Sequence, residues 1–442
     1  MDNYDVVIIG GGPAGYPCAI RCSQNGLKTA LIEKDQLGGT CLNRGCIPTK
    51  SLFELTNQVE KSTCDGIIKN TSFDWEKSVE WIKSKVITRL RTGLGFLLKV
   101  NGVELLNGEG KIKEPGVVEV NGKELRTKNI VIATGSSPSV PSIFANDEKL
   151  ITSDSIWALK KLPESITIIG GGFIGCEFAS ILNSFGLKVS VYEMTEGLLP
   201  GKDREIVQAM EKIFVQRGIN IACNTRVSNL SDTGTEKALW STGRRANSEN
   251  FSNLGLKMEK GIITTDEKMK TNIGGIYAIG DINGKYPLAY IATREGEVLA
   301  DVLAGRDVKM DYKNIPDAIF TSPVIASCGL TEEQALSEGR KIKIGRCPYQ
   351  AIGRAYASGK TTGLTKIIAD ADTHKILGIH IIGQEATELI HIAAVAISKE
   401  MTAGELTEIY FCHPTFSESI LEAVLEIEDR PIHLPPKKSV KK

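Results

Sequence analysis

Apolar positions in the first half of the chain gather into short runs closed off by glycine. Val6-Val7-Ile8-Ile9 stops at Gly10-Gly11-Gly12, and Ile166-Thr167-Ile168-Ile169 stops at Gly170-Gly171-Gly172. Runs of this length, bounded by turn residues, predict strands buried on both faces, as in a parallel sheet. After each glycine turn the pattern lengthens into a helix-like stretch. It then returns to a strand-like one, Thr29-Ala30-Leu31-Ile32 in the first case and Val189-Ser190-Val191-Tyr192 in the second. Further along, a helical run is expected from Ser51 to Glu60, a strand from Ile376 to Ile382, and an amphipathic helix from Glu388 to Lys399.

The two glycine units are copies of one plan. Gly10, Gly12, Gly15, Gly26 and Glu33 recur 160 positions later as Gly170, Gly172, Gly175, Gly186 and Glu193. Gly-x-Gly-x-x-Gly between a strand and a helix, with an acid closing the next strand, is the dinucleotide fingerprint in its proper context. The first glycine makes the tight turn, the second lets a pyrophosphate approach the backbone, and the third lets helix and strand pack closely. Each helix N-terminus then offers unpaired N–H groups to phosphate oxygens. Pro13 and Ala14 complete the first loop, and Ile174 the second. Glu33 and Glu193 are placed to accept from ribose hydroxyls, and an acid at 193 argues against a 2′-phosphate, so NAD is expected over NADP. One copy is expected to hold flavin, because hydride exchange between two nicotinamides would not need the thiols that come next. The bland alternative is a pair of such domains that have lost their ligands.

Those thiols are Cys41 and Cys46, in Gly38-Gly39-Thr40-Cys41-Leu42-Asn43-Arg44-Gly45-Cys46-Ile47-Pro48-Thr49-Lys50. The segment follows the first glycine unit and precedes a helical run. A thiol at a helix start is biased toward thiolate by the dipole and by cations such as Arg44 and Lys50. Three readings stand side by side. A structural bridge closing so short a loop adds only about 2 kcal/mol by chain entropy. A metal site wants four ligands, and no second pair stands at ligand spacing. A redox-active disulfide suits both neighbours and compartment. The remaining cysteines (Cys18, Cys22, Cys64, Cys176, Cys223, Cys328, Cys347 and Cys412) lack a partner nearby in sequence, and most are expected to be small buried hydrophobes.

Composition narrows the class. A chain of 442 residues suggests roughly three domains at about 150 residues each. Its 53 basic and 53 acidic residues cancel, which leaves no long-range field for nucleic acid or an anionic membrane. No segment approaches the roughly 20 apolar residues of a membrane span. Met1-Asp2-Asn3-Tyr4 runs straight into a strand, so no signal peptide is expected, and a reducing cytoplasm is the default location. The basic run from Pro435 to Lys442 reads as a solvated tail. All five histidines (His374, His380, His391, His413 and His433) lie beyond residue 370, so any imidazole base must come from the C-terminal region. His380 and His391 sit in apolar patterns and are expected to be packed. His413, before Pro414 and five residues ahead of Glu418, has a potential orienting partner and is the candidate base.

The Gly38–Lys50 segment resembles the active-site motif of the class I pyridine nucleotide–disulfide oxidoreductases, and its Leu-Asn and Ile-Pro choices are most similar to the dihydrolipoamide dehydrogenase branch. The resemblance extends over essentially the whole chain. Ile132-Ala133-Thr134-Gly135 and Ser241-Thr242-Gly243-Arg244-Arg245 resemble turns that close each nucleotide domain. Gly275 to Asp281 resembles the second FAD motif, and His413-Pro414-Thr415-Phe416-Ser417-Glu418 the acid–base motif. The resemblance implies an α/β fold with two Rossmann-like domains, for FAD and NAD, plus a C-terminal α+β dimerisation or interface domain. It implies an FAD domain over 1–145, a NAD domain over 146–265 with a shortened meander, a central segment over 266–313 that completes the FAD region, and an interface domain over 314–442.

By resemblance, Cys41 would exchange with substrate and Cys46 would contact flavin. Lys50 would pair with Glu177 beside the ring, and His413 held by Glu418 would reach the cysteines of the other subunit of a homodimer. FAD contacts would come from Gly10, Gly12, Pro13, Ala14, Gly15, Glu33, Lys34, Gly39, Thr40, Lys50, Thr134, Gly135, Gly280, Asp281 and Ala289. NAD contacts would come from Gly170, Gly172, Ile174, Gly175, Glu193 and Gly243, and no metal is implied. The implied reaction is oxidation of protein-bound dihydrolipoyl groups with NAD+. The lipoyl-carrying protein of a 2-oxo acid dehydrogenase or glycine cleavage complex would be the partner. A reductase for another disulfide or for mercuric ion, and a poorly active FAD-binding scaffold, are the alternatives. Arg44 and Thr49 stand where such enzymes often carry a small apolar residue and Ser, and Arg44 could tune the pair's potential.

Overall fold

The computed structural model describes residues 2–62 and 73–435, so Cys64 and the tail from 436 onward lie outside the described residues. The chain divides into two compact units, each drawn from three stretches of sequence. The first comprises 1–52, 74–162 and 242–311, the second 53–73, 163–241 and 312–442.

In the first unit, strand Asp2–Ile9 lies between Thr29–Glu33 and Lys123–Ile132, parallel to both. Glu104–Asn107 continues the sheet in parallel beyond Thr29–Glu33. The far edge of Lys123–Ile132 is shared: its first residues pair antiparallel with Val117–Val120, and its last three pair parallel with Ile276–Ala278. Val6, Val7 and Ile8 are wholly buried, as the continuous apolar run requires of a strand covered on both faces. Register sets Ile9 beside Ile32 and Ile132, so three strand ends meet at Gly10. Ligands of open α/β sheets bind at such carboxyl ends.

The second unit carries the repeat. Its parallel strands run in the order Asn220–Ala222, Lys188–Tyr192, Ser165–Ile169, Lys237–Trp240. Between Ala222 and Lys237 the chain forms only a short 3-10 turn, Leu230–Thr233, and this connection sets out beside Glu193, whose carbonyl accepts from Thr225 N–H at 2.8 Å. The same unit holds a five-stranded antiparallel sheet in the order Asp317–Ile319, Ile325–Gly329, Ile376–Ile382, Leu364–Asp370, Ile342–Pro348. One face packs under helices Ala386–Ser398 and Glu418–Ile427, through Ile367, Ile379, Ile381, Ala393 and Ala423. Helix Arg204–Gln216 packs on strand Ile376–Ile382. Among the described residues no helix is long and apolar enough to cross a membrane.

Two sequence expectations need correction. The helix expected from Ser51 begins at Cys46 and runs to Ser62. Pro48 falls in its first turn, where a missing N–H breaks no helical bond, so it does not delimit the helix. His391 is not packed but exposed: Leu389, Ile390 and Ala393 take the buried side of helix Ala386–Ser398. His380, by contrast, is buried as expected. Replacing Ile379 with Ala is therefore expected to destabilise the protein by about 2–5 kcal/mol, while His391→Ala changes stability by less than about 0.5 kcal/mol. Denaturant titration of both variants checks the contrast.

Candidate active site and dinucleotide loops

The two glycine loops fold alike to within small tolerances. Gly10 and Gly170 adopt φ of +110° and +105°, a region that only glycine enters freely. A Cβ on Gly15 would lie 1.8 Å from the Gly10 carbonyl oxygen, and one on Gly175 1.9 Å from that of Gly170. Gly11 N–H donates to Glu33 at 2.7 Å, and Gly171 N–H to Glu193 at 2.7 Å. The other carboxylate oxygen is held from two residues on, by Asp35 N–H and by Thr195 N–H, each at 2.8 Å. An ionised carboxylate has about four acceptor positions, so a ribose diol can still be received. Burial pushes the Glu193 carboxyl up, but the N–H groups of Thr195 and Gly171 outweigh it and hold its pKa below the ordinary value.

Both loops fit a dinucleotide. A Cβ on Gly172 would meet nothing within 4 Å, and helices Gly15–Gln24 and Phe173–Ser184 have no side-chain cap at their N-termini. Uncapped N–H groups at a helix start are suited to a pyrophosphate. Pro13, Ala14 and Ile174 lie in these turns, and Lys34 follows Glu33 at the surface, 3.7 Å from Glu109. Elsewhere in the first unit, Thr134 Oγ1 donates to the Asn247 carbonyl at 2.9 Å, next to Gly135. Arg244–Ala246, expected as part of a turn beginning at Ser241, forms a strand antiparallel to Ser136–Pro138, with Gly243 just before it. Asp281, after Gly280, accepts from Ser136 Oγ at 2.5 Å, and Ala289 opens helix Ala289–Leu303.

The redox segment rests on the first loop. Gly38 N–H donates to the Gly11 carbonyl at 2.8 Å, and a Cβ on Gly39 would fall 2.8 Å from Gly12 Cα. Cys41 lies in the short helix Gly39–Asn43 with Thr40 beside it, and Cys46 is the first residue of helix Cys46–Ser62. Their sulfurs are joined in a disulfide. Asn43 Nδ2 donates to the carbonyls of Gly39 at 2.9 Å and Leu37 at 3.1 Å, which fixes the turn between the cysteines. Arg44 pairs with Asp35 at 2.5 Å, and its carbonyl accepts from Trp157 Nε1 at 2.8 Å. Lys50 stands one helical turn beyond Cys46. The free cysteines Cys18, Cys22, Cys176, Cys328 and Cys347 are buried, while Cys223 is half-buried and Cys412 exposed.

In the second unit, Glu177 is buried on helix Phe173–Ser184 and accepts from Phe320 N–H at 3.0 Å. His413 Nδ1 lies 2.8 Å from Glu418 Oε1. Since a carboxylate only accepts, Nδ1 carries the proton and Nε2 is left as the basic atom. Glu418 is fixed in turn by Thr415 N–H at 2.8 Å, and the imidazole is exposed. Sequence reasoning missed the auxiliary groups Gly11, Gly171, Thr195 and Asn43. The signal was there in part, as a hydroxyl two residues after the acid and an amide between the cysteines.

Residues 4–296 match the model of the pyridine nucleotide-disulphide oxidoreductase family, and residues 315–424 that of its dimerisation domain. The chain belongs to this family. Dihydrolipoyl dehydrogenase of Bacillus subtilis (strain 168) is 38% identical, covering 98% of this chain and 99% of the relative. That of Chlamydia trachomatis is 37% identical over 99% of both. Among solved structures, the HOCl-induced flavoprotein disulfide reductase RclA from Escherichia coli, as its Cu(II) complex, superposes with a TM-score of 0.88 at 28% identity. It covers 96% of this chain and 99% of that one. The protein is thus a flavoprotein oxidoreductase whose cofactors are FAD and NAD, and the α/β architecture with a dimerisation domain is as the sequence implied.

Glu193→Gln is expected to weaken NADH binding about tenfold, or about 1.4 kcal/mol, with flavin content unchanged. Because the folded pKa of Glu193 is depressed, its contribution is present above the ordinary carboxylate pKa and is lost as pH falls through the lower folded value. The wild-type to variant affinity ratio should therefore stay flat from neutral pH down to the carboxylate range, which NADH fluorescence titration measures.

Proposed function

We propose that this protein oxidises protein-bound dihydrolipoyl groups with NAD+, acting as a homodimer. The observation that carries the reading is the Cys41–Cys46 disulfide braced against the first dinucleotide loop, in a chain collinear with dihydrolipoyl dehydrogenases over nearly its full length.

A thiolate of the substrate dithiol attacks Cys41 Sγ, breaks the S–S bond, and leaves Cys46 as a thiolate. The helix start at Cys46 favours that leaving group. The second substrate thiol, deprotonated by Nε2 of His413 from the partner subunit, attacks the substrate sulfur of the mixed disulfide and releases Cys41. The substrate leaves as a disulfide, and its two electrons rest on Cys41 and Cys46. Glu418 holds the imidazole in the required tautomer and stabilises the cation that forms. The Gly10–Gly15 loop, Glu33, Lys34, Thr40, Thr134, Gly135 and Asp281 would hold FAD, which would supply the conversion of a thiol electron pair into a hydride. Lys50, one helical turn beyond Cys46, would stand beside the ring. Gly170, Gly172, Gly175 and Glu193 would hold NAD.

A glutathione-type reductase would be expected to take NADP, and the Glu193 carboxylate, already clamped by two N–H groups, is repulsive to a 2′-phosphate. Comparing dihydrolipoamide, reduced glutathione and reduced thioredoxin with NAD+ and NADP+ should give turnover with dihydrolipoamide and NAD+ far above every other pair. Comparable rates with glutathione would overturn the substrate assignment. Cys46→Ser should abolish lipoamide turnover with the yellow cofactor still bound, and His413→Ala should slow it about 10²–10⁴-fold.

A further inference from the structure

The antiparallel sheet carries one polar residue from each of its five strands, all in register. Asp317 faces Ser327, Ser327 faces His380, His380 faces Lys366, and Lys366 faces Arg346. Directly opposed residues share a face, so these five form a row. Their strand neighbours Ala326, Cys328, Ile367, Ile379, Ile381 and Cys347 belong to the helix-covered core on the other side. Lys366 is completely buried, and its ammonium meets Asp203 at 2.9 Å, Glu332 at 2.7 Å and Glu205 at 3.1 Å. Arg346 binds both oxygens of Glu205, at 2.8 and 2.9 Å. Lys202, one residue before Asp203, pairs with Asp317 and stands 5.0 Å over the Phe173 ring.

Asp203 is the N-cap of helix Arg204–Gln216. The segment leading to it, from Glu193, lies along the second glycine loop. Leu199 N–H donates to the Gly171 carbonyl at 2.9 Å, with Leu199 in the left-handed region at φ +48°. A Cβ on Gly171 would strike Leu198 at 2.4 Å. Thr195 bonds Glu193 through both its N–H and its hydroxyl. The segment is thus tethered to the loop at one end and to Lys366 at the other. A buried ion cluster of this kind is seldom more stable than apolar packing of equal volume, so stability alone is a poor reason for a lysine at this place.

We propose that Lys366 is a positioning residue for the second dinucleotide site, acting through Asp203 to hold the 194–203 segment, and with it Gly171 and Glu193, in the geometry that receives NAD. The idea rests on the NAD assignment but not on the thiol substrate. Removing the ammonium leaves the buried Asp203 carboxylate without its cation beside Glu332, while Arg346 still holds Glu205 and Lys202 still pairs with Asp317; the segment's anchor is weakened at Asp203, and the Cys41–Cys46 chemistry is untouched.

The test uses the full-length holoenzyme. Lys366→Met should raise the Kd for NADH and the KM for NAD+ about tenfold, equivalent to about 1.4 kcal/mol. The kcat at saturating NAD+ and the rate of flavin reduction by dihydrolipoamide should stay within about twofold (about 0.4 kcal/mol). Lys366→Arg should return most of the NADH affinity. Unchanged NADH affinity in a Lys366→Met protein that merely melts earlier would overturn the proposal, as would equal losses in both half-reactions. Should Lys366→Met not fold, Arg346→Met at the half-exposed end of the row is expected to raise the NADH Kd about threefold (about 0.65 kcal/mol), and no change there overturns it equally. Because NADH binding is read directly, a wild-type enzyme that binds NADH yet ignores dihydrolipoamide would sink the proposed substrate and leave this test standing.

Discussion

Everything in the first unit turns on a place where two backbones meet without side chains between them. Gly12 and Gly39 approach so closely that a Cβ on Gly39 would sit 2.8 Å from Gly12 Cα, and Gly38 N–H bonds Gly11 O next to them. A phosphate loop and a thiol loop are thereby welded into one element. The Gly11 amide that neighbours this contact also holds Glu33, so the acid, the glycine turn and the disulfide segment share a few peptide groups. Chemistry that passes electrons between sulfur and a dinucleotide cofactor needs such fixed proximity, since loss of about 1 Å of placement costs orders of magnitude in rate.

The repeat shows how a single solution serves two ligands. Both loops use the same strained first glycine, the same amide-to-carboxylate bond and the same exclusion of a Cβ at the third glycine. What differs is what leans on each loop. The first is braced by the redox segment, the second by the 194–203 segment. The loops share one plan, and the segments that lean on them do not.

Much of this was legible in the sequence because its determinants are local. Glycines at fixed spacing, an acid ending the next strand, two cysteines one short turn apart and a histidine five residues before a glutamate all act over a few residues. The His413–Glu418 bond is an example: both groups lie at the entry to one helix, and the pair formed as expected. The polar row was invisible for the opposite reason. Lys366 and Asp203 are 163 residues apart, and only the register of five antiparallel strands brings Asp317, Ser327, His380 and Arg346 into line with them. His391 was misjudged because an apolar helix does not say which residue faces outward until its partner sheet is known. The helix runs five residues further toward the N-terminus than the expected start at Ser51, with Pro48 in its first turn, where a missing N–H breaks no helical bond.

The central claim is that reduced Cys46 lies against the flavin ring closely enough for its thiolate to donate charge to it. Anaerobic addition of one equivalent of dihydrolipoamide, followed by visible absorption, tests this most directly. The account predicts a new long-wavelength band while the flavin remains oxidised, which disappears in Cys46→Ser. Flavin that bleaches in one step with no such band, or a band that survives without the Cys46 sulfur, would contradict it.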